Sequence, residues 1–308
     1  MSETLSGTVI RCTGNWSSVM LGNGDIVECN LRGQFRIKDI KTTNPVTVGD
    51  QVEISLDEQT NQGVIMHIEE RKNYVIRKSV NLSKQAHIIA SNLDQAVIIA
   101  TVEQPRTSLG FIDRFLCTSE AYGIPAAVVF NKLDVYVSEK SKLKLNQYLS
   151  VYQSIGYRVF LTSTVTGEGI AELDEWMKDK RTLISGHSGV GKSSLINMLH
   201  PKLELKTGDI SEVHSKGKHT TTFAEMFPLA NGGFIIDTPG IKEFGMIDMQ
   251  PYEVSHYFTE MFKVSKNCRF NNCTHQNEPN CAVKQAMEKG EIPESRYNSY
   301  INILESLQ

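Results

Sequence analysis

The chain has 308 residues, 40% of them hydrophobic and 22% charged, with a formal net charge of −3. Such a length allows two or three domains with cores of their own, and the charge excludes a whole-surface attraction to nucleic acid or anionic lipid, so a polyanion must be met by a local patch. Apolar runs such as AVIIATV (Ala96–Val102) are too short to cross a bilayer, and the opening MSETLSGTVIRC lacks the basic-then-apolar layout of a secretory signal, so a cytoplasmic protein with no membrane partner is expected.

Residues 1–72 read as all-β. GTVIRCTG, SSVMLGNGDIVECN, TVGDQVEISL and QGVIMHIEE are short strand-like runs separated by turn signals. About five strands in this length predict a small barrel, with the OB-fold as the leading architecture. Barrels of this kind either contact RNA or serve as docking modules. Arg32, Arg36, Lys38 and Lys41 form the local basic cluster, which is equally readable as a solvated face.

Residues 73–245 alternate between strand and helix. AVIIATVE, PAAVVFNKLD, YRVFLTS, TLIS, FAEMFPLA and GGFIIDTPG supply apolar strands, with amphipathic helices such as FIDRFLCTSEAYG and IAELDEWMKDK between them. That order predicts an α/β layer with a mainly parallel sheet.

The chemistry lies at the strand ends. Gly186-x₄-Gly191-Lys192-Ser193 fits the phosphate-loop pattern, after an apolar strand and before a helix. Loop residues Gly186, His187, Ser188, Gly189, Val190, Gly191, Lys192, Ser193 and Ser194 would cradle phosphates with backbone N–H groups. Lys192 would meet the β- and γ-phosphates, and Ser193 would offer a hydroxyl to Mg²⁺. DTPG places Asp237 on the magnesium side and the Gly240 amide where it can sense the γ-phosphate. In GKHTTTF, Thr221 is the preferred further magnesium ligand, with Thr220 and Thr222 open.

NKLD (Asn131, Lys132, Leu133, Asp134) ends a strand and reads as a guanine motif. Asp134 can accept hydrogen bonds from guanine N1–H and N2–H₂, Asn131 can reach the O6/N7 edge, and the Lys132 stem can cover the base. Ser163 and Thr164, in TSTVTGEG, would support the base from a neighbouring loop. These elements run base, base, phosphate, metal, metal. A parallel sheet can be cut at one loop and rejoined at its old termini without disturbing the site, so one circularly permuted GTPase domain is expected.

Residues 246–308 turn helical and polar around Cys268-x₄-Cys273-x-His275-x₅-Cys281. Three thiolates and an imidazole complete a tetrahedral Zn²⁺ site with no open position, which predicts one structural ion stapling a small domain. Cys12, Cys29 and Cys117 are scattered and read as small buried residues.

With permuted NKLD and GHSGVGKSS, GKHTTT, DTPGIKEFG and C-x₄-C-x-H-x₅-C together, the whole chain resembles the ribosome small-subunit-dependent GTPase A family (RsgA, also called YjeQ). The resemblance implies a factor that binds the small (30S) ribosomal subunit and its rRNA, hydrolyses GTP there, and acts in late subunit maturation. The chain is expected to work as a monomer. Two other readings stand beside it: a constitutive RNA-binding scaffold with structural nucleotide, and a phosphate-loop kinase, against which NKLD argues.

Ile241 follows DTPG where a Ras-type enzyme has its water-orienting glutamine, so the isolated protein should turn over slowly, at roughly 10⁻⁴–10⁻² s⁻¹ or below. His219 is the candidate substitute to orient water, and a loop histidine the alternative. Lys192, Gly240 and His219 are thus the candidate catalytic groups. Because IKEFGMID runs from DTPG into the zinc segment, loss of the γ-phosphate could also swing that segment as a lever.

Overall fold

The computed structural model describes residues 4–14, 16–31, 45–57, 60, 62–78, 86–203, 224–237 and 249–307. The chain groups into two compact units. One holds Met1–Gln95, Asp174–Ser185 and Ile196–Gly245; the other holds Ala96–Leu173, Gly186–Leu195 and Met246–Gln308.

In the first unit, β1 (Thr4–Thr13), β2 (Trp16–Leu21), β3 (Ile26–Leu31), β4 (Gln51–Asp57) and β5 (Gln62–Ile68) follow one another around a closed barrel. Hydrogen-bonded neighbours run β1–β2–β3–β5–β4, and β4 pairs back onto β1 along Thr4–Thr8. This is the strand order of the expected OB-type barrel. Closure works because alternate side chains point inward: Val9, Val19, Val27, Cys29, Val52, Ile54 and Ile65 fill the interior. At Gly63 the strands approach so closely that a Cβ would run into the Cys29 sulfur, so a glycine is required there.

A hairpin that the sequence reading did not separate follows, β6 (Tyr74–Lys78) with β7 (Ala86–Ser91). It is tied to the barrel through Asp50, a fully buried carboxylate. Arg71 donates to both Asp50 oxygens at 2.7 Å, Ser91 Oγ donates at 2.6 Å, and Thr47 N–H at 2.9 Å. The same unit carries β11 (Arg181–Ser185), β12 (Glu225–Pro228) and β13 (Phe234–Asp237). β11 and β13 run parallel with Ile184 opposite Asp237, and β12 lies antiparallel to β13.

The second unit is built on β8 (Gln95–Ala100), β9 (Ala126–Phe130) and β10 (Arg158–Leu161), all parallel. Every residue of β8 is buried, which is why its sequence is a continuous apolar run rather than an alternating one. Helices α1 (Leu109–Ala121) and α2 (Glu139–Ser154) begin at Ser108 and Ser138, whose hydroxyls accept the N–H groups of Phe111 and Ser141. Helices α3 (Ile170–Met177) and α4 (Lys192–Leu199) follow the next strand ends.

Past residue 249 the chain forms α5 (Thr259–Ser265), α6 (Ala282–Glu288) and α7 (Glu294–Glu305). Their core of Val254, Phe258, Met261, Val283, Tyr300 and Ile303 includes Cys117 from α1. Beside it lies a buried ion cluster. Arg296 of α7 grips Glu260 of α5 with two hydrogen bonds, at 2.7 and 3.2 Å, and donates to Asp113 of α1 at 3.0 Å. Tyr152 also donates to Asp113, and the Phe258 ring covers the guanidinium at 4.3 Å. Among the described residues no helix is long and apolar enough to cross a membrane.

Removing the cation would leave two buried carboxylates without their counter-charge, a loss of about 3–5 kcal/mol. Arg296→Ala should therefore lower the unfolding free energy by that order in urea denaturation, and Arg296→Lys should recover only part because one ammonium cannot fork to Glu260.

Candidate nucleotide and zinc sites

Three loops distant in sequence meet in the second unit, and the Asn131 amide joins them. Asn131 follows β9 and is fully buried. Its Nδ2 donates to the Val190 carbonyl at 2.9 Å, and its Oδ1 accepts from Thr162 Oγ1 at 3.0 Å. Its own carbonyl accepts from Tyr136 OH at 2.7 Å. Gly191, with φ of 94°, leaves the space that this amide occupies: a Cβ there would collide with Asn131 Nδ2.

The rest of NKLD is arranged around that joint. Lys132 adopts the left-handed conformation, φ 69°, and its Nζ donates to the Gln104 carbonyl at 2.8 Å. Leu133 N–H donates to the Thr162 carbonyl at 3.1 Å. Ser163 Oγ donates to Asp134 Oδ1 at 2.5 Å while accepting from the N–H groups of Val165 and Thr166. Asp134, half-buried, is thereby held as an acceptor. Leu133 and Thr164 are half-buried.

On the phosphate side, β11 ends at Ser185 and the loop Gly186–Gly191 leads into α4, whose first turn holds Lys192, Ser193 and Ser194, all half-buried. Lys192 Nζ bridges the loop, donating to the carbonyls of Gly186 at 2.5 Å and His187 at 3.0 Å. A loop whose carbonyls are drawn to a lysine leaves its N–H groups and the helix start to receive an anion. Ser188 and Gly189 form its exposed crest. Asp237 ends β13 and is buried. His219, Thr220, Thr221, Thr222, Gly240, Ile241 and the IKEFGMID linker lie outside the described residues, as do Arg32, Arg36, Lys38 and Lys41.

The sequence reading missed the segment 101–108, TVEQPRTS. It contributes the Gln104 carbonyl to Lys132, and Pro105 stands beside Gly189. No phosphate-loop or base motif marks it. Its Gln-Pro turn after an apolar strand was the available signal.

The metal cluster is compact. The ligand atoms of Cys268, Cys273, His275 and Cys281 all lie within 4.8 Å of one another. His275 Nδ1 sits 3.6 Å from Cys268 Sγ and 3.3 Å from Cys281 Sγ. Zinc bonds of about 2.3 Å to sulfur and about 2.0 Å to nitrogen give tetrahedral edges of roughly 3.5–3.8 Å, so the donors fit one structural zinc. Burial, with added repulsion from the neighbouring thiols, pushes Cys273 up to about 12, and burial pushes the His275 imidazole down. A cation among the donors relieves the first cost, and the second favours the neutral ring that ligation requires.

Glu278 shapes the ligand loop. One carboxylate oxygen accepts from Thr274 N–H (2.5 Å) and Oγ1 (2.7 Å), the other from the N–H groups of Gln276 and Asn277. Although burial works against it, these donors hold the Glu278 carboxyl at about 2. Tyr297 OH and Tyr300 OH donate to the carbonyls of His275 and Thr274.

The RsgA GTPase family profile matches residues 68–247, and the RsgA N-terminal domain profile matches residues 6–65. The chain belongs to the RsgA GTPase family. It is 54% identical over 301 residues to a small ribosomal subunit biogenesis GTPase RsgA of Bacteroides fragilis strain YCH46, covering 98% of this chain and 96% of that one. The protein of the same name from Flavobacterium johnsoniae is 53% identical over 304 residues, with 98% and 93% covered. Among solved structures, YjeQ from Thermotoga maritima superposes with a TM-score of 0.82 at 35% identity over 99% of both chains. YloQ, described as a circularly permuted GTPase, gives 0.77 at 30% identity over 99% and 95%. This RsgA-family chain is thus a GTP hydrolase on a permuted GTPase fold, with GTP, GDP and Mg²⁺ as its nucleotide and metal.

Glu278→Gln keeps the size of the side chain but turns one of its two acceptor oxygens into a donor, so two of the four hydrogen bonds are lost. Zinc should then pass to a chelating dye about tenfold faster or more, in the range seen when outer-shell partners of a metal site are removed.

Proposed function

We propose that this GTPase binds the small ribosomal subunit and acts in its late assembly, hydrolysing GTP to GDP and phosphate with stimulation by the subunit. It does so as a cytoplasmic monomer. The observation that carries the reading is the Asn131 joint, which sets a guanine motif and a phosphate loop side by side in permuted order. It stands on a chain 54% identical to a relative named for small-subunit biogenesis.

In this reading Asp134, oriented by Ser163, selects guanine by accepting from N1–H and N2–H₂. Adenine offers no such pair, and an unpaired carboxylate in the site penalises it. Asn131 contributes by reaching the O6/N7 edge with its second N–H while holding the loops in register, Lys132 by covering the base, and Leu133 and Thr164 by lining its edge. The Gly186–Ser194 segment receives the phosphates, and Lys192 balances charge at the β- and γ-positions. Ser193, Asp237 and Thr221 would hold Mg²⁺, which would supply neutralisation of the phosphate charge. The Gly240 amide senses the γ-phosphate, and His219 orients the attacking water. Cys268, Cys273, His275 and Cys281 hold zinc as a fold element.

RNA contact is supported by the surface of the C-terminal segment. Tyr252, Phe262 and Phe270 are 58%, 54% and 40% exposed. Exposed Lys263, Lys266 and Arg269 are interleaved with them, and no exposed acidic residue lies between 261 and 277. Aromatic faces stack bases while cations meet phosphates.

Turnover by the free protein should be slow and should rise when small, but not large, subunits are added. Co-sedimentation should be stronger with a GTP analogue than with GDP. Equal turnover with and without small subunits would sink the proposal, and equal stimulation of wild type and His219→Ala would remove His219 from it. Asp134→Asn should weaken GDP binding by at least about a hundredfold and restore affinity for xanthosine diphosphate, whose base offers an acceptor in place of the exocyclic donor.

A further inference from the structure

The hydrogen bonds around His187 define which ring nitrogen carries a proton. Nδ1 lies 3.0 Å from the Ser188 carbonyl oxygen, and Nε2 lies 2.7 Å from Thr107 Oγ1. A carbonyl can only accept, so Nδ1 is the donor. In the uncharged ring Nε2 then accepts, and the Thr107 hydroxyl gives the proton. Thr107 is fully buried, and its oxygen accepts from Thr101 N–H at 3.0 Å. The result is a directed chain: Thr101 N–H to Thr107, Thr107 to His187, His187 to Ser188.

The chain is anchored firmly. Thr107 N–H donates to the Thr101 carbonyl at 2.8 Å, and its carbonyl accepts from Tyr148 OH at 3.1 Å. Phe111, in the first turn of α1, meets the His187 ring edge-on at 5.8 Å.

The target of this chain is a peptide plane at the crest of the phosphate loop. Ser188 and Gly189 are exposed, and Gly189 has φ of 84°. A plane followed by glycine can flip at low steric cost, as in the exchange between turn types. Within a trans peptide the C=O and N–H point in opposite directions. Pinning the Ser188 carbonyl toward His187 therefore turns the Gly189 N–H the other way. Lys192 fixes the two preceding carbonyls, and His187 fixes the third.

We infer that Thr107 is a positioning residue for nucleotide binding: through His187 it locks the Ser188–Gly189 peptide so that the Gly189 N–H faces the phosphates before they arrive. The inference rests on reading Gly186–Ser193 as the phosphate cradle. An amide already aimed at an anion avoids the ordering cost that a free-flipping plane would charge on binding.

The test uses the full chain and a fluorescent GDP. Thr107→Val removes the hydroxyl at constant shape and should weaken GDP about fivefold, the scale of one hydrogen bond, chiefly through faster release. Thr107→Ser should bind like wild type. Without nucleotide, Thr107→Ser should melt like wild type and Thr107→Val a few degrees lower at most, because the buried Thr101 N–H also loses its acceptor. Nitrogen NMR of the His187 ring should show the Nδ1–H tautomer in wild type and Thr107→Ser, and lose it in Thr107→Val. Unchanged GDP affinity in Thr107→Val overturns the inference. So does a weakening shared by Thr107→Ser, or one matched by a fall in melting temperature with the tautomer retained. An Nε2–H ring in wild type overturns it even if the valine variant does not fold. Failure of wild type to bind guanine nucleotide would instead strike the proposed function.

Discussion

The nucleotide site depends on one buried side-chain amide. Asn131 has a donor and an acceptor in fixed opposition, and it spends one on the phosphate loop at Val190 and the other on Thr162 beside the base-supporting loop. A buried amide left unmatched costs as much as a lost hydrogen bond, so the three loops are held in register by the same penalty. Gly191 follows from this constraint, because any side chain there would displace the amide. The joint also explains why circular permutation is harmless: it links side chains across space and is indifferent to which loop comes first in the chain.

A second layer ties that site to the C-terminal helices. Helix α1 meets the phosphate loop at its start, where Phe111 packs on His187, and carries Asp113 and Cys117 further along. Arg296, itself fully buried, binds Asp113 and Glu260 together. Ion pairs so placed add little net stability over a well-packed apolar core, but they tolerate few alternative registers. We read the cluster as what fixes α5 and α7 against α1.

The zinc loop shows the same economy. Its ligands are set by backbone shape, with His275 at φ 59°, and that shape is imposed by the Glu278 carboxylate and two tyrosine hydroxyls. Metal and loop therefore stabilise each other, as expected where binding free energy is also folding free energy.

Much of this was legible in the residues alone. Short strand-like runs between turn signals marked the barrel strands, continuous runs such as AVIIA marked a buried parallel strand, and the phosphate-loop, NKLD and Cys₃His spacings named their chemistry, because each of these signals is local: a run, a turn or a ligand spacing. Tertiary structure alone decided the rest. Asn131 reads in sequence as a base contact, and only the fold shows that its amide also joins Val190 and Thr162. The segment 101–108, the Asp50–Arg71 tie and the Arg296 cluster carry no motif, since their partners lie between 21 and 183 residues away along the chain. A hydrogen bond needs atoms within about 3 Å of each other, and only the folded chain brings such distant residues that close.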